Sequence, residues 1–102
     1  MSLTETLAKD RRRLILEHLA VADGHALGAG VIATLVVDGR QATWRDQVLA
    51  DVDYLTQLEL VTQVEFPSAL GLQKEVTLTG LGLDVARGRP HPAVAAKLPG
   101  YL

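Results

Sequence analysis

The side chains in this sequence best equipped for chemistry are guanidinium, amide and indole groups rather than nucleophiles. Trp44, Arg45 and Gln47 stand together in "TWRDQVLADVDYLTQLELV", residues 43–61, and "KDRRR" sets Lys9, Arg11, Arg12 and Arg13 around Asp10. Arginine and glutamine at a helix start can hydrogen-bond base edges and phosphates in a DNA groove. Catalysis finds much less to work with. His18, His25 and His91 share no i, i+3 or i+4 spacing and cysteine is absent, so no metal-ligand set arises. No nucleophile elbow, phosphate loop or paired-carboxylate pattern occurs, and Gly28 to Gly30 is too short for a dinucleotide fingerprint. The expectation is a non-enzyme without cofactor or metal.

Charge argues against the DNA chemistry that the residue types suggest. The chain carries a net charge of −2, where nucleic-acid-binding domains are usually basic. Between Arg40 and Glu59, two arginines face Asp46, Asp51, Asp53 and Glu59, again leaving −2. Asp46 is accounted for by the positive end of a helix. Asp51 and Asp53 are expected on exposed or half-exposed faces, where they would repel phosphate. Basic residues lie elsewhere, at Arg11, Arg12, Lys74, Arg87, Arg89 and Lys97. These could set a protein on a phosphate backbone, or simply form a solvated surface.

The elements that must position these groups fit one domain. The chain has 102 residues, 48% hydrophobic and 22% charged, a globular composition; aromatic residues are only 4%, so the core falls to Leu, Val, Ile and Ala. Charges in "MSLTETLAKDRRR" exclude a signal peptide there, and no apolar run nears the ~18 residues of a membrane span, so the cytoplasm is expected.

Ser2 and Glu5 form a capping box, and Leu3, Leu7, Leu14, Ile15, Leu16 and Leu19 predict a helix over about 3–21, stopped at Asp23-Gly24. "ALGAGVIATLVVDGRQATW" reads two ways. It is either a hairpin turning at Asp38-Gly39, or a helix carrying Leu27, Val31, Ile32 and Leu35 that ends on a left-handed Gly39. Thr43 predicts an N-cap with Asp46 as the third helical residue, and Val48, Val52 and Leu55 a buried stripe. "LVTQVEF" and "QKEVTL" read as strands joined by a loop "PSALGL". "TGLGLDVARG" predicts a short last helix, so the domain covers 1–88 and a Pro-containing tail 89–102.

Val48, Val52, Leu55 and Leu60-Val61 resemble the motif "V-x-x-x-L-x-x-L-x-x-x-G-L-V" of many bacterial winged-helix regulators. "LTGLGLDVARG" resembles the continuation "L-T-x-x-G-x-x-V-A-x-G" that follows their wing. The spacing is also similar to a family of small winged-helix proteins of Mu-like transposable phages and prophages. There "MSLTE-x-L-A-x-D-R-R" opens helix 1, matched here by Met1 to Glu5, Leu7, Ala8 and Asp10 to Arg12. The resemblance implies an α+β winged helix-turn-helix with three helices, a two-stranded β-wing and a short C-terminal helix. It favours a helix over a hairpin before Thr43, and a bacterial host's cytoplasm as the setting.

Two departures weaken the implied DNA role. Glu59 replaces the motif's Gly, which predicts a helix end without the usual left-handed Gly, and Leu49, Ala50 and Asp51 replace the usual Ser and Arg of the groove-facing turn. The first functional expectation is a dimeric regulator binding double-stranded DNA. Thr43, Trp44, Arg45 and Gln47 would enter the groove, and Arg11, Arg12, Lys74 and Arg89 would position the backbone. The alternative is a protein-interaction module contacting another phage or host protein through Leu49, Tyr54, Phe66, Leu70 and Leu72.

Overall fold

The computed structural model describes residues 2–39 and 43–97. Met1, Arg40 and the last five residues of the expected tail lie outside them. The described elements are α1 (Leu3–Val21), a 3₁₀ turn (Asp23–His25), β1 (Ala26–Gly28), α2 (Ala29–Gly39), α3 (Arg45–Gln57), β2 (Val61–Ser68), β3 (Gly71–Leu78) and α4 (Gly80–Ala86). The fold is α+β: four helices and a three-stranded antiparallel sheet in the order β1-β3-β2. The helix over 3–21 forms as expected, and Ser2 Oγ accepts from the Glu5 N–H at 3.1 Å.

Three helices meet over one face of the sheet. Ile15, Leu16 and Leu19 of α1, Ile32 and Val36 of α2, and Val48, Val52 and Leu55 of α3 are wholly buried with Leu60, Val61, Val76 and Val85. Each such side chain stabilises the fold by about 1.5–3 kcal/mol on burial. The β-branched run before Asp38 is helical because Ala29, Ile32, Ala33 and Val36 share one buried face, and tertiary burial outweighs strand propensity.

Several expectations are corrected. Leu27 lies in β1, where it pairs with Val76, giving the sheet a third strand. Gly39 is the last residue of α2 and is not left-handed. The N-cap of α3 is Trp44, not Thr43, which puts Asp46 at the second helical position; Gln47 Oε1 accepts the Trp44 N–H at 2.9 Å. The expected loop after Phe66 is mostly strand. Pairing runs on through Pro67↔Leu72 to Ser68↔Gly71, leaving Ala69-Leu70 as the turn, and Gly71 takes a φ of 101°. Pro67 is tolerated because β2 is an edge strand.

At the end of α3 there is, as expected, no left-handed glycine; Glu59 takes that conformation itself, with a φ of 62°. The Glu59 N–H donates to Thr56 O and the Leu60 N–H to Leu55 O, both at 3.0 Å. This is the Schellman arrangement, closed by packing of Leu60 with Leu55 in the core. Thr79 Oγ1 donates to the Glu59 carbonyl at 2.7 Å and accepts the Gly82 N–H at 2.9 Å, so one threonine caps α4 and ties it to the end of α3.

Candidate interaction surfaces

The basic residues of α1 spend their charge inside the molecule. Asp51, expected at the surface, is 5% exposed and lies between two guanidinium groups. Arg11 Nε donates to Asp51 Oδ2 at 2.7 Å, and Arg12 Nε stands 3.5 Å from Oδ1. Arg12 Nη1 reaches across to the Ala93 carbonyl at 3.0 Å, and its guanidinium lies 4.4 Å above the centre of the Tyr54 ring. A guanidinium paired with a buried carboxylate and stacked on an aromatic ring is not free to follow a phosphate backbone.

Arg13 is more deeply enclosed. Its guanidinium donates to the carbonyls of Ala95 (2.8 Å), Val85 (2.8 Å) and Ala86 (3.2 Å), and the Glu17 carboxylate is 3.8 Å away. Burial pulls its pKa below the ordinary arginine value and Glu17 pulls it partly back. The segment after Gly88 is thereby strapped to α1, with Ala93 and Val94 buried and the Ala95 N–H donating to Lys9 O at 3.2 Å. Nothing in the sequence distinguishes Arg13 from Arg11 and Arg12. Only the fold shows that it binds backbone.

The free surface of α3 is acidic. At about 100° per residue, Asp46, Ala50, Asp53 and Gln57 share the side opposite Val48, Val52 and Leu55, and all four are exposed. Asp53 accepts from Gln63 Nε2 at 3.0 Å, which ties it to β2. Among the residues expected in a groove, Trp44 is exposed (68%), as are Arg45 and Gln47, while Thr43 is half-buried before the cap. Arg45 folds back onto α2, where Nη1 donates to Thr34 Oγ1 (3.2 Å) and Nη2 to Gly30 O (3.3 Å). Arg45 thus lies on one flank of α3, and Arg11 and Arg12, bound to Asp51, on another. Lys74 is exposed on β3 opposite Glu65, and Arg89 is exposed 3.8 Å from Asp84. The eight residues named for DNA contact do not converge on one face.

The β2–β3 hairpin is the apolar surface. Val64 (62%), Leu70 (89%) and Leu72 (72%) are largely exposed and Phe66 is partly so (41%). Val64 and Phe66 lie on one face of the ribbon, Leu72 shares the other face with Pro67, and Leu70 stands at the turn, so the hairpin shows hydrocarbon on both sides and at its tip. Leu49 belongs instead with the core, half-buried against it, and Tyr54 is partly covered by Arg12.

Among the described residues no cluster of His, Cys, Asp or Glu could hold a metal, and no helix is long and apolar enough to cross a membrane. His91 Nδ1 accepts the Ala93 N–H at 3.1 Å inside the strap. The sequence matches no protein-family model, and no curated protein matches it.

Proposed function

We propose that this chain is a winged-helix domain that works by protein–protein contact, with the β2–β3 hairpin as its arm. The succession of α1, β1, α2, α3 and the hairpin β2–β3 supports the winged-helix reading, with β1 as the short third strand of the sheet. The observation that carries the functional reading is a separation of surfaces. The helix that would enter a DNA groove faces out with carboxylates, the α1 arginines are bound within the fold, and the hairpin presents hydrocarbon. A phosphate-gripping wing needs several cations, and this one carries Lys74 opposite Glu65. On the sequence resemblance, the setting is the cytoplasm of a bacterium carrying a Mu-like phage or prophage. The protein acts there as a non-catalytic homodimer contacting another phage or host protein.

A second reading, a transcriptional regulator binding double-stranded DNA, draws on one observation: Trp44, Arg45 and Gln47 are exposed together at the first turn of α3. Fluorescence polarisation with a random DNA duplex, titrated from low to physiological salt, separates the two. The interaction reading expects no binding at the lowest salt. Binding that weakens steeply with salt would overturn it and make Trp44, Arg45 and Gln47 the site to mutate. In the complementary experiment, partners captured from phage-induced cells by the wild-type protein are lost on Leu70→Asp. Capture that survives the substitution removes the hairpin from the contact.

A further inference from the structure

The outer side of β2 is open over a defined length. One step beyond the Val61↔Leu78 pair, the Thr79 N–H donates to Leu60 O at 3.1 Å, which sets the alternation of the antiparallel ladder. Thr62, Val64 and Phe66 turn their backbone groups to β3, and Gln63 and Glu65 turn their N–H and C=O groups away from it. Among the described residues no strand lies beyond β2. Pairing runs without a bulge from Val61 to Ser68, so the outward groups stand in line to meet another strand. Pro67 belongs to the same outward set; having no N–H to offer, it closes the edge after Phe66. At its other end the edge opens into a groove of about 610 Å³ lined by Thr56 and Glu59 of the α3 end, by Val61 to Gln63, and by Leu81 of α4.

We infer that β2, from Val61 to Phe66, takes up an extended segment of the partner protein as an added antiparallel strand, and that this segment alternates Lys or Arg with apolar residues. The inference rests on the reading of the hairpin as a protein-contact arm and names what the arm receives. A row of outward backbone donors and acceptors calls for an extended chain, which can answer each with its own. The side chains then set the sequence of that chain, because a strand laid beside β2 shares its two faces. One face carries Glu65 and Gln63, with Asp53 accepting from Gln63 Nε2 at 3.0 Å; the other carries Val64 and Phe66. From Asp53 to Leu78 the chain holds four carboxylates, Asp53, Glu59, Glu65 and Glu75, all exposed, against the one cation Lys74. Residues of the added strand opposite Gln63 and Glu65 are therefore cationic, and those between them are apolar. The same charges disfavour a second copy of β2 as the occupant, since a two-fold pairing would turn this acidic edge against itself.

Calorimetric titration of the full chain with a short, end-capped peptide alternating lysine and valine, carried to about 1 mM, tests this. The peptide is expected to bind, and its glutamate–valine counterpart to bind at least tenfold more weakly. In the antiparallel pair the lysines lie opposite Gln63 and Glu65 and turn their N–H groups to β2. N-methylation of the lysine amides is therefore expected to abolish binding, and N-methylation of the valine amides to leave it unchanged. Glu65→Pro removes an outward N–H and a carboxylate while sparing the β2–β3 ladder; with the fold checked by circular dichroism, it is expected to weaken binding at least tenfold. No binding of the lysine–valine peptide, or equal losses from methylating either set of amides, overturns strand addition. Loss on methylating the valines alone overturns the antiparallel direction, and equal binding of the glutamate–valine peptide overturns the basic partner. If the peptide fails while Leu70→Asp still loses its cellular partner, strand addition falls and the hairpin contact stands. Capture that survives both Leu70→Asp and Glu65→Pro removes the hairpin contact, and this inference with it.

Discussion

The two ends of this molecule treat solvent in opposite ways. Around α1, α4 and the strap, charged groups are drawn inward. Asp51 is held by Arg11 and Arg12, and Arg13 is enclosed by backbone carbonyls. At the hairpin, apolar groups are pushed outward, with Leu70 at the turn and Leu72 on β3 largely exposed. A domain that buries cations and displays leucines has its stability at one end and its adhesive surface at the other. Substitutions at the first should unfold the protein, and substitutions at the second should change only what it binds.

The largest effect should come from the joint between the two ends. A Cβ at Gly82 would stand 1.9 Å from the Leu60 carbonyl oxygen, which is backbone and cannot swing aside. Gly82→Ala is expected to cost about 3–5 kcal/mol in a urea unfolding titration. A loss below about 1 kcal/mol would mean that α4 can slide, and the contrast between a rigid and a free end would fail. Asp51→Ala comes next. It leaves two guanidinium groups with side chains only 13% and 16% exposed without their carboxylate, at about 3 kcal/mol. Unchanged stability would mean that these arginines already turn outward, and that α1 can offer cations to a polyanion.

A gain is expected at the end of α3. The left-handed conformation costs a residue with a side chain roughly 1–2 kcal/mol, so Glu59→Gly should raise stability by about 1 kcal/mol. A loss instead would show that the glutamate side chain is held by contacts that outweigh its backbone strain. The smallest effect belongs to the hairpin tip. Leu70→Asp should move stability by less than about 0.5 kcal/mol while abolishing partner binding. A larger loss would show the turn packing on the body and erase the distinction between the two ends.

What could be seen in the sequence was whatever local spacing encodes. The Ser2 cap and the leucines of α1, the Val48–Val52–Leu55 stripe and the strand-like runs "LVTQVEF" and "QKEVTL" all translate directly into elements. What could not be seen depended on contacts distant in the chain. β1 is three residues long and exists because Val76 passes beside Leu27. Asp51 resembled any solvent-facing aspartate in a helix, and its burial follows only from two arginines forty residues earlier, on a helix that crosses it. At Glu59 the absence of the usual glycine was visible, but not that a glutamate would take the left-handed turn in its place, because that turn carries Leu60 into the distant core. On the candidate surfaces, residue type identified the apolar hairpin, but it could not tell a spent arginine from a free one.

The cradle around Arg13 has a consequence for how the chain reaches this state. Its acceptors lie 72, 73 and 82 residues further along the sequence. During synthesis α1 therefore leaves the ribosome long before any of them exists. Until residue 95 has emerged, this guanidinium must stay hydrated and the helix beside it cannot seat fully. Contacts this distant in sequence slow folding, because the intervening loop must close before they contribute. The last step of assembly is then the laying down of the strap, and a nascent or truncated chain lacking it would leave Arg12 without the Ala93 carbonyl, Arg13 without that of Ala95, and the side of α1 under them open to water.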